Sequence, residues 1–251
     1  MFSIAFKQPV LDPPLRKGNR YPLNDRLAPR LDDGGIRNLL LIHHVMPANE
    51  ERGRITSGDP HISSESAIKF AELVAELSKI CPELSAIFTA TDACSRETAE
   101  LFASRYPDVA IYARGSDGYL NRRPVPEMAL GKHLEEIQKE NPALYLHLVA
   151  PNEMPQTTYP GSMSYNEFYS RVSCATQQIA ENIRRGTTVG VVTHGSVISA
   201  GIRHLLGLPY YNLGAHTEYG SLTWATISKS DGRMSVLFEH FSETFMQGDK
   251  S

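Results

Sequence analysis

Cysteine is scarce. Cys81, Cys94 and Cys174 are widely spaced, odd in number and never in a Cys-x-x-Cys arrangement, so neither a disulfide framework nor a thiolate zinc knuckle is indicated. Long hydrophobic runs are missing too. No segment approaches the ~20 apolar residues of a membrane span, and the N-terminal apolar patch is broken by Lys7, too early for a signal peptide. A reducing cytoplasm is therefore the expected compartment, with no membrane partner. Positive charge is not concentrated. Apart from the pairs Arg122-Arg123 and Arg184-Arg185 the basic residues lie scattered among acids, for a net charge of −3, so nucleic acid is not an expected partner. Internal repeats and low-complexity tracts are also absent.

What is present is the composition of a soluble globular chain, 41% hydrophobic and 21% charged over 251 residues. Residues 1–36, rich in Pro, Arg, Asp and Gly, read as an irregular arm. Beyond them, strand signals fall at 37–43, 84–90, 108–113, 143–149, 187–193, 221–228 and 234–241. Their apolar residues are continuous rather than alternating, as in strands covered on both faces. Helical periodicity separates them. Residues 64–80 place Ile68, Ala71, Leu73, Ala75 and Leu77 near one stripe, ended by Pro82. Residues 93–106 have Asp92 as a candidate N-cap. Residues 164–185 begin with the Ser164/Glu167 capping-box spacing and end before Gly186. Residues 196–207 close on Gly207 and Pro209. The alternation predicts one α/β domain over 37–245, a three-layer α/β/α sandwich on a mostly parallel sheet. The proline-rich stretch 114–163 reads as an insertion lying over that sheet.

Two strands end on histidine. "LLLIHHV" delivers His43 and His44, and "VGVVTHGSV" places His194 between a strand and a helix start. In open parallel sheets ligands bind beyond the C-terminal strand ends, and a helix start there offers free N–H groups to an anion. Taken singly, each histidine has even odds of a structural role.

The order of segments adds to this. A strand ending in His is followed by "DPHISSESAIKFAELVAEL", "IFTATDACSRETAELFA", "PGSMSYNEFYSRV" and "VVTHGSVISAGIRHLLGLP". Over residues 37–241 this resembles the histidine phosphatase superfamily, the phosphoglycerate-mutase-like group. The resemblance implies that fold and a phosphohistidine chemistry: one histidine attacks phosphorus while a second histidine and two arginines hold the phosphoryl oxygens. It implies no cofactor or metal. By position His44 matches the nucleophile and His194 the second histidine. The first Arg-His-Gly motif, however, reads His43-His44-Val45, and Cys94 stands where the second arginine belongs. Arg96 lies about 200° around the helix from Cys94, a poor substitute. Where a glutamate acid is expected, the chain reads Leu120-Asn121-Arg122, and Glu127 matches a later glutamate. Ser66 replaces a usual glycine, and Gly195 follows His194 as in the mutase branch.

Three readings follow. The leading one is a phosphatase-like protein with weak or absent standard activity, whose pocket around His44 and His194 binds a small ligand, phosphorylated or not, or whose surface meets a protein partner or a second copy. The second is an active phosphomonoesterase in which Arg122, Arg123, Arg52 or Arg54 restores the missing charge, helped at mildly acidic pH by His43. The third is different chemistry in the same pocket: two histidines as an acid–base pair on a substrate of little charge, or a metal on His43, His44, Cys94 and His194. Adjacent strand residues face opposite sides, which weighs against the metal. His43, Cys94, Glu127, Arg122, Gly195 and His216 are the candidate ligand contacts. His61, His147, Trp224 and the Tyr210-Tyr211 pair read as loop or packing residues.

Overall fold

A computed structural model describes residues 36–48, 53–55, 59–113, 119–207, 217–230 and 233–241. A six-stranded sheet runs in the order β3-β2-β4-β1-β5-β6. Its strands are β1 Ile36–His43, β2 Ala86–Thr89, β3 Ile111–Ala113, β4 Thr188–Thr193, β5 Leu222–Ser230 and β6 Arg233–Phe241. The first four strands in that order are parallel, and β5 and β6 are added antiparallel. The helices are α1 Ser64–Ile80, α2 Ala93–Ala103, α3 Leu134–Glu140, α4 Pro142–Val149, α5 Tyr165–Asn182 and α6 Gly195–Leu205.

Strand β1 shows why the apolar runs are continuous. Leu40 and Ile42 point into a core shared with Phe70, Leu73, Val74 and Leu77 of α1 and Ala99 and Phe102 of α2. Leu39 and Leu41 point the other way, into Phe168, Val172 and Ile179 of α5 and Val197 and Ile198 of α6. Both faces are covered, the expected three layers, and each such fully buried side chain contributes roughly 1.5–3 kcal/mol. Trp224 is fully buried and donates to Asn38 Oδ1 at 3.2 Å, a packing anchor as expected. The caps fall where the sequence puts them: Asp92 accepts from Ser95 N, and Ser164 with Glu167 closes a capping box on α5.

Three expectations need correction. Residues 143–149 are the helix α4 rather than a strand. A short apolar run broken only by His147 fits either element, and here Asn141 caps Leu144 N with Pro142 in the first turn, both helix-start devices. His147 is accordingly buried on a helix and not on a sheet. The α1 stripe is Phe70, Leu73, Val74, Leu77 and Ile80, whereas Ile68 is 64% exposed. The insertion is also more ordered than its prolines suggest. It carries α3, α4 and short 3-10 turns at Glu127–Ala129 and Pro151–Glu153, around a small core of Ala129, Ile137 and Leu144. Ile36, read as the end of the arm, is the first residue of β1; residues 1–35, Arg52, Pro209, Tyr210, Tyr211 and His216 lie outside the described residues. Among the described residues no helix is long and apolar enough to cross a membrane.

The sheet packs closely on α2 at Gly190. A Cβ there would meet Phe102 Cε1 at 2.9 Å and Ile87 Cγ1 at 3.4 Å. Gly190→Ala should therefore lower the unfolding free energy by about 1–3 kcal/mol in urea denaturation, and an unchanged midpoint would refute this close packing.

Candidate active site

The register of β1 against β4 assembles the site. His43 pairs with Thr193, and His44 N donates to Thr193 O at 2.9 Å. His44 and His194 are thus the first residues beyond two adjacent parallel strand ends, and their rings lie 4.8 Å apart, edge to face. His44 Nδ1 donates to the carbonyl of Val45 at 2.8 Å, which leaves Nε2 as the unprotonated nitrogen. Val45 N in turn donates to Thr98 Oγ1 at 3.0 Å, and that hydroxyl donates to Cys94 O at 2.7 Å. The chain after β1 is therefore tied to α2.

His194 faces a carboxylate. Its Nε2 donates to Asp92 Oδ2 at 2.8 Å. Asp92 also holds the first turn of α2, accepting from Ser95 N at 3.0 Å and from Ser95 Oγ at 2.9 Å. Burial alone would raise the Asp92 pKa, but the His194 and Ser95 bonds outweigh it and hold the carboxyl well below the usual range. His44 moves the other way from its own usual value. Burial, reinforced by the neighbouring His194 and His43, lowers its pKa to about 3, so it is a neutral imidazole at physiological pH.

His43 is held as firmly. Its Nδ1 donates to the carbonyls of Thr217 at 2.9 Å and Glu218 at 3.1 Å, and its ring lies 4.7 Å from that of Tyr219. Tyr219 also lies 5.2 Å from the His44 ring. Gly195 makes this packing possible, because a Cβ there would stand 2.5 Å from Thr217 Oγ1 and 3.2 Å from His43 Cε1. A small cavity of about 50 Å³ opens beside Tyr219, lined by Val45, Met46, Ser66, Phe70 and Leu73.

The remaining candidates divide. Cys94 is buried, donates its thiol to Pro60 O at 2.8 Å, and has its pKa pushed up to about 12, first by burial and then by Asp92, Glu97 and Asp59. It is a neutral thiol and a poor metal ligand. Arg96 points outward and donates to Thr91 O at 2.7 Å, as its helical phase predicts. Arg122 is exposed, with its backbone pinned near the pocket: Asn121 exchanges hydrogen bonds with Thr91 at 2.9 and 2.7 Å, and Arg171 donates to Asn121 O at 2.8 Å. Arg123 turns away to the carbonyl of His147 in the last turn of α4, and Arg54 reaches Gly131 O in the insertion. Glu127 packs against Gly161 in the insertion and makes no hydrogen bond to either histidine. Tyr219 and the bond from Asp92 to His194 were not anticipated. Asp92 was legible as a helix cap, but its second partner is 102 residues away.

The sequence model of the histidine phosphatase superfamily, branch 1, matches residues 39–239. The chain belongs to that superfamily. No curated protein matches it in sequence. Among solved structures, Bacillus stearothermophilus YhfR superposes with a TM-score of 0.65 at 24% identity, covering 81% of this chain and 96% of that one. A mycobacterial glucosyl-3-phosphoglycerate phosphatase gives 0.61 at 20% identity, covering 80% and 97%. The alpha-ribazole phosphatase of Shigella flexneri gives 0.61 at 18%, covering 80% and 94%. Identities this low establish the shared fold. Within the histidine phosphatase fold, this chain brings two histidines together at the sheet edge and sets a carboxylate against one of them.

The depressed pKa of His44 links the pocket to stability. Between its ordinary value of 6.5 and about 3, the unfolded chain binds a proton at this residue that the folded chain does not. Stability should therefore fall as pH drops through that window, by up to about 1.4 kcal/mol per pH unit from this one group. His147, lowered to about 4 by burial and Arg123, acts in the same direction. His44→Asn should flatten the dependence measured by urea unfolding at successive pH values, and an unchanged slope would contradict a neutral buried His44.

Proposed function

We propose that this chain keeps the histidine phosphatase fold but hydrolyses ordinary phosphomonoesters weakly or not at all, and that the pocket around His44 and His194 holds a small ligand. One observation carries the reading: the two residues standing at the family's arginine positions are both fixed to backbone carbonyls. His43 is bonded to Thr217 and Glu218, and the neutral Cys94 thiol to Pro60. Neither brings a guanidinium to a phosphoryl group. Hydrogen bonds to a charged group are worth roughly 1.5–3 kcal/mol each, and transition-state charge in phosphoryl transfer is stabilised mainly by such fixed donors. Losing two bidentate arginines slows that chemistry by several powers of ten.

What remains suits binding and proton exchange. His44 offers a neutral Nε2 acceptor, His194 is oriented by Asp92, and the start of α6 contributes backbone N–H groups. Tyr219 packs its ring against His43 and His44. A second reading has specific support in Arg122, whose backbone Asn121 and Arg171 fix near Thr91. There His44 Nε2 would attack phosphorus, the ester P–O bond would break, and water would later release phosphate from the phosphohistidine.

Phosphate release from a broad set of phosphomonoesters, wild type beside His44→Ala from pH 5 to 7.5, separates the two. The proposal expects no release above the variant's background. Turnover that disappears in His44→Ala and in Arg122→Gln would establish the second reading instead.

A further inference from the structure

The first turn of α2 and His194 are the groups in this pocket best suited to an anion, and the chain's own carboxylates already hold them. Asp92 takes the Nε2 proton of His194 at 2.8 Å and Ser95 N at 3.0 Å. Asp59, from the loop before α1, takes Ala93 N at 2.6 Å. Glu97 accepts from Ile62 N at 2.9 Å and from His61, closing the same loop over the helix start. Three carboxylates thus surround Cys94. The nearby cations are on the exposed rim: Arg96 bonds to Thr91 O and lies 3.9 Å from Asp59, while Arg122 faces solvent. Rim charges act through water and are screened, whereas the part-buried Asp92 is hydrogen-bonded to His194 at 2.8 Å.

We infer that Asp92 is the specificity-determining residue of the pocket: a built-in anion that holds His194 and the α2 start from within, so that the ligand is uncharged or cationic and not a phosphate or similar oxyanion. The inference rests on the proposed function in taking the pocket as a ligand site. A dianion brought near His44 and His194 would approach a carboxylate fixed at hydrogen-bond distance from His194. It would be repelled by that carboxylate at close range. An uncharged polar ligand meets no such penalty, and a cation gains from it.

The substitution that isolates this charge is Asp92→Asn, since asparagine is an equally good N-cap and nearly the same shape. Asp92→Ser, another capping residue without the carboxylate, serves as the second variant. Asp108→Asn removes one negative charge from an exposed loop residue before β3 and is the control. Orthovanadate binding to the full chain, measured by calorimetry, is expected to be absent or weakest in the wild type and in Asp108→Asn. It should strengthen by at least about tenfold in Asp92→Asn or Asp92→Ser. Equal binding by wild type and both Asp92 variants, weaker binding in the variants, or no binding in any of them would overturn the inference. The outcome is separable from that of the turnover assay. Phosphatase turnover by the wild type would end both the proposed function and the exclusion of phosphate, whereas no turnover together with a vanadate affinity that stays level on removing Asp92 would overturn the inference alone.

Discussion

The hydrogen bond from His194 to Asp92 joins two things that are otherwise separate, the end of β4 and the start of α2. Asp92 does two jobs with one carboxylate. Its Oδ1 accepts from the backbone of the first turn of α2, and its Oδ2 fixes the ring of His194. Because that ring lies edge to face against His44, the orientation of one imidazole limits the other. The bond also helps keep this part-buried carboxylate ionised: two donors from Ser95 and one from His194 compensate its partial desolvation.

Around this bond the fold supplies rigidity more than charge. The parallel pairing of β1 and β4 sets the two histidines side by side, and the Val45–Thr98–Cys94 chain locks the loop after β1 onto α2. On the far side, the segment Thr217–Gly220 grips His43 through two carbonyls, and Gly220 N returns to the carbonyls of His43 and His44. Gly195 leaves the space in which the His43 ring and Thr217 meet. The result is a neutral imidazole enclosed by packed groups, its proton affinity lowered by burial, with fixed negative charge beside it. Members of a fold family keep the frame and change the site. Here the frame matches phosphatases, and the fixed charge at hydrogen-bond distance from His194 is the Asp92 carboxylate.

The frame was largely legible in the sequence because it depends on local patterns. Residues 37–43 and 187–193 read as doubly covered strands since Leu39 to Ile42 and Val189 to Val192 serve both faces of one sheet. Asp92, Ser164 and Glu167 announced their helix starts by spacing alone. Residues 143–149 misled because a short apolar run broken only by His147 carries no clear period, and only the Asn141-Pro142 start distinguishes helix from strand. Ile68 misled because it is apolar: its helical phase lies about 180° from Leu77, on the face opposite the buried stripe of Phe70, Leu73, Val74, Leu77 and Ile80. For the pocket, His44 and His194 were visible as strand ends. The partner of His194 was not, because a contact between positions 92 and 194 leaves no local trace. Tyr219 likewise lies in no motif and reaches the site only through the loop before β5.

The protonation state of His44 is the point on which this account turns, and nitrogen NMR of the imidazoles across pH reads it directly. The structure predicts that His44 keeps Nδ1 protonated and Nε2 bare from neutral pH down to about 4, well below an ordinary histidine. An Nε2 that gains its proton near pH 6.5 would contradict it, because the pocket would then contribute a positive charge at His44 and would be suited to an anion after all.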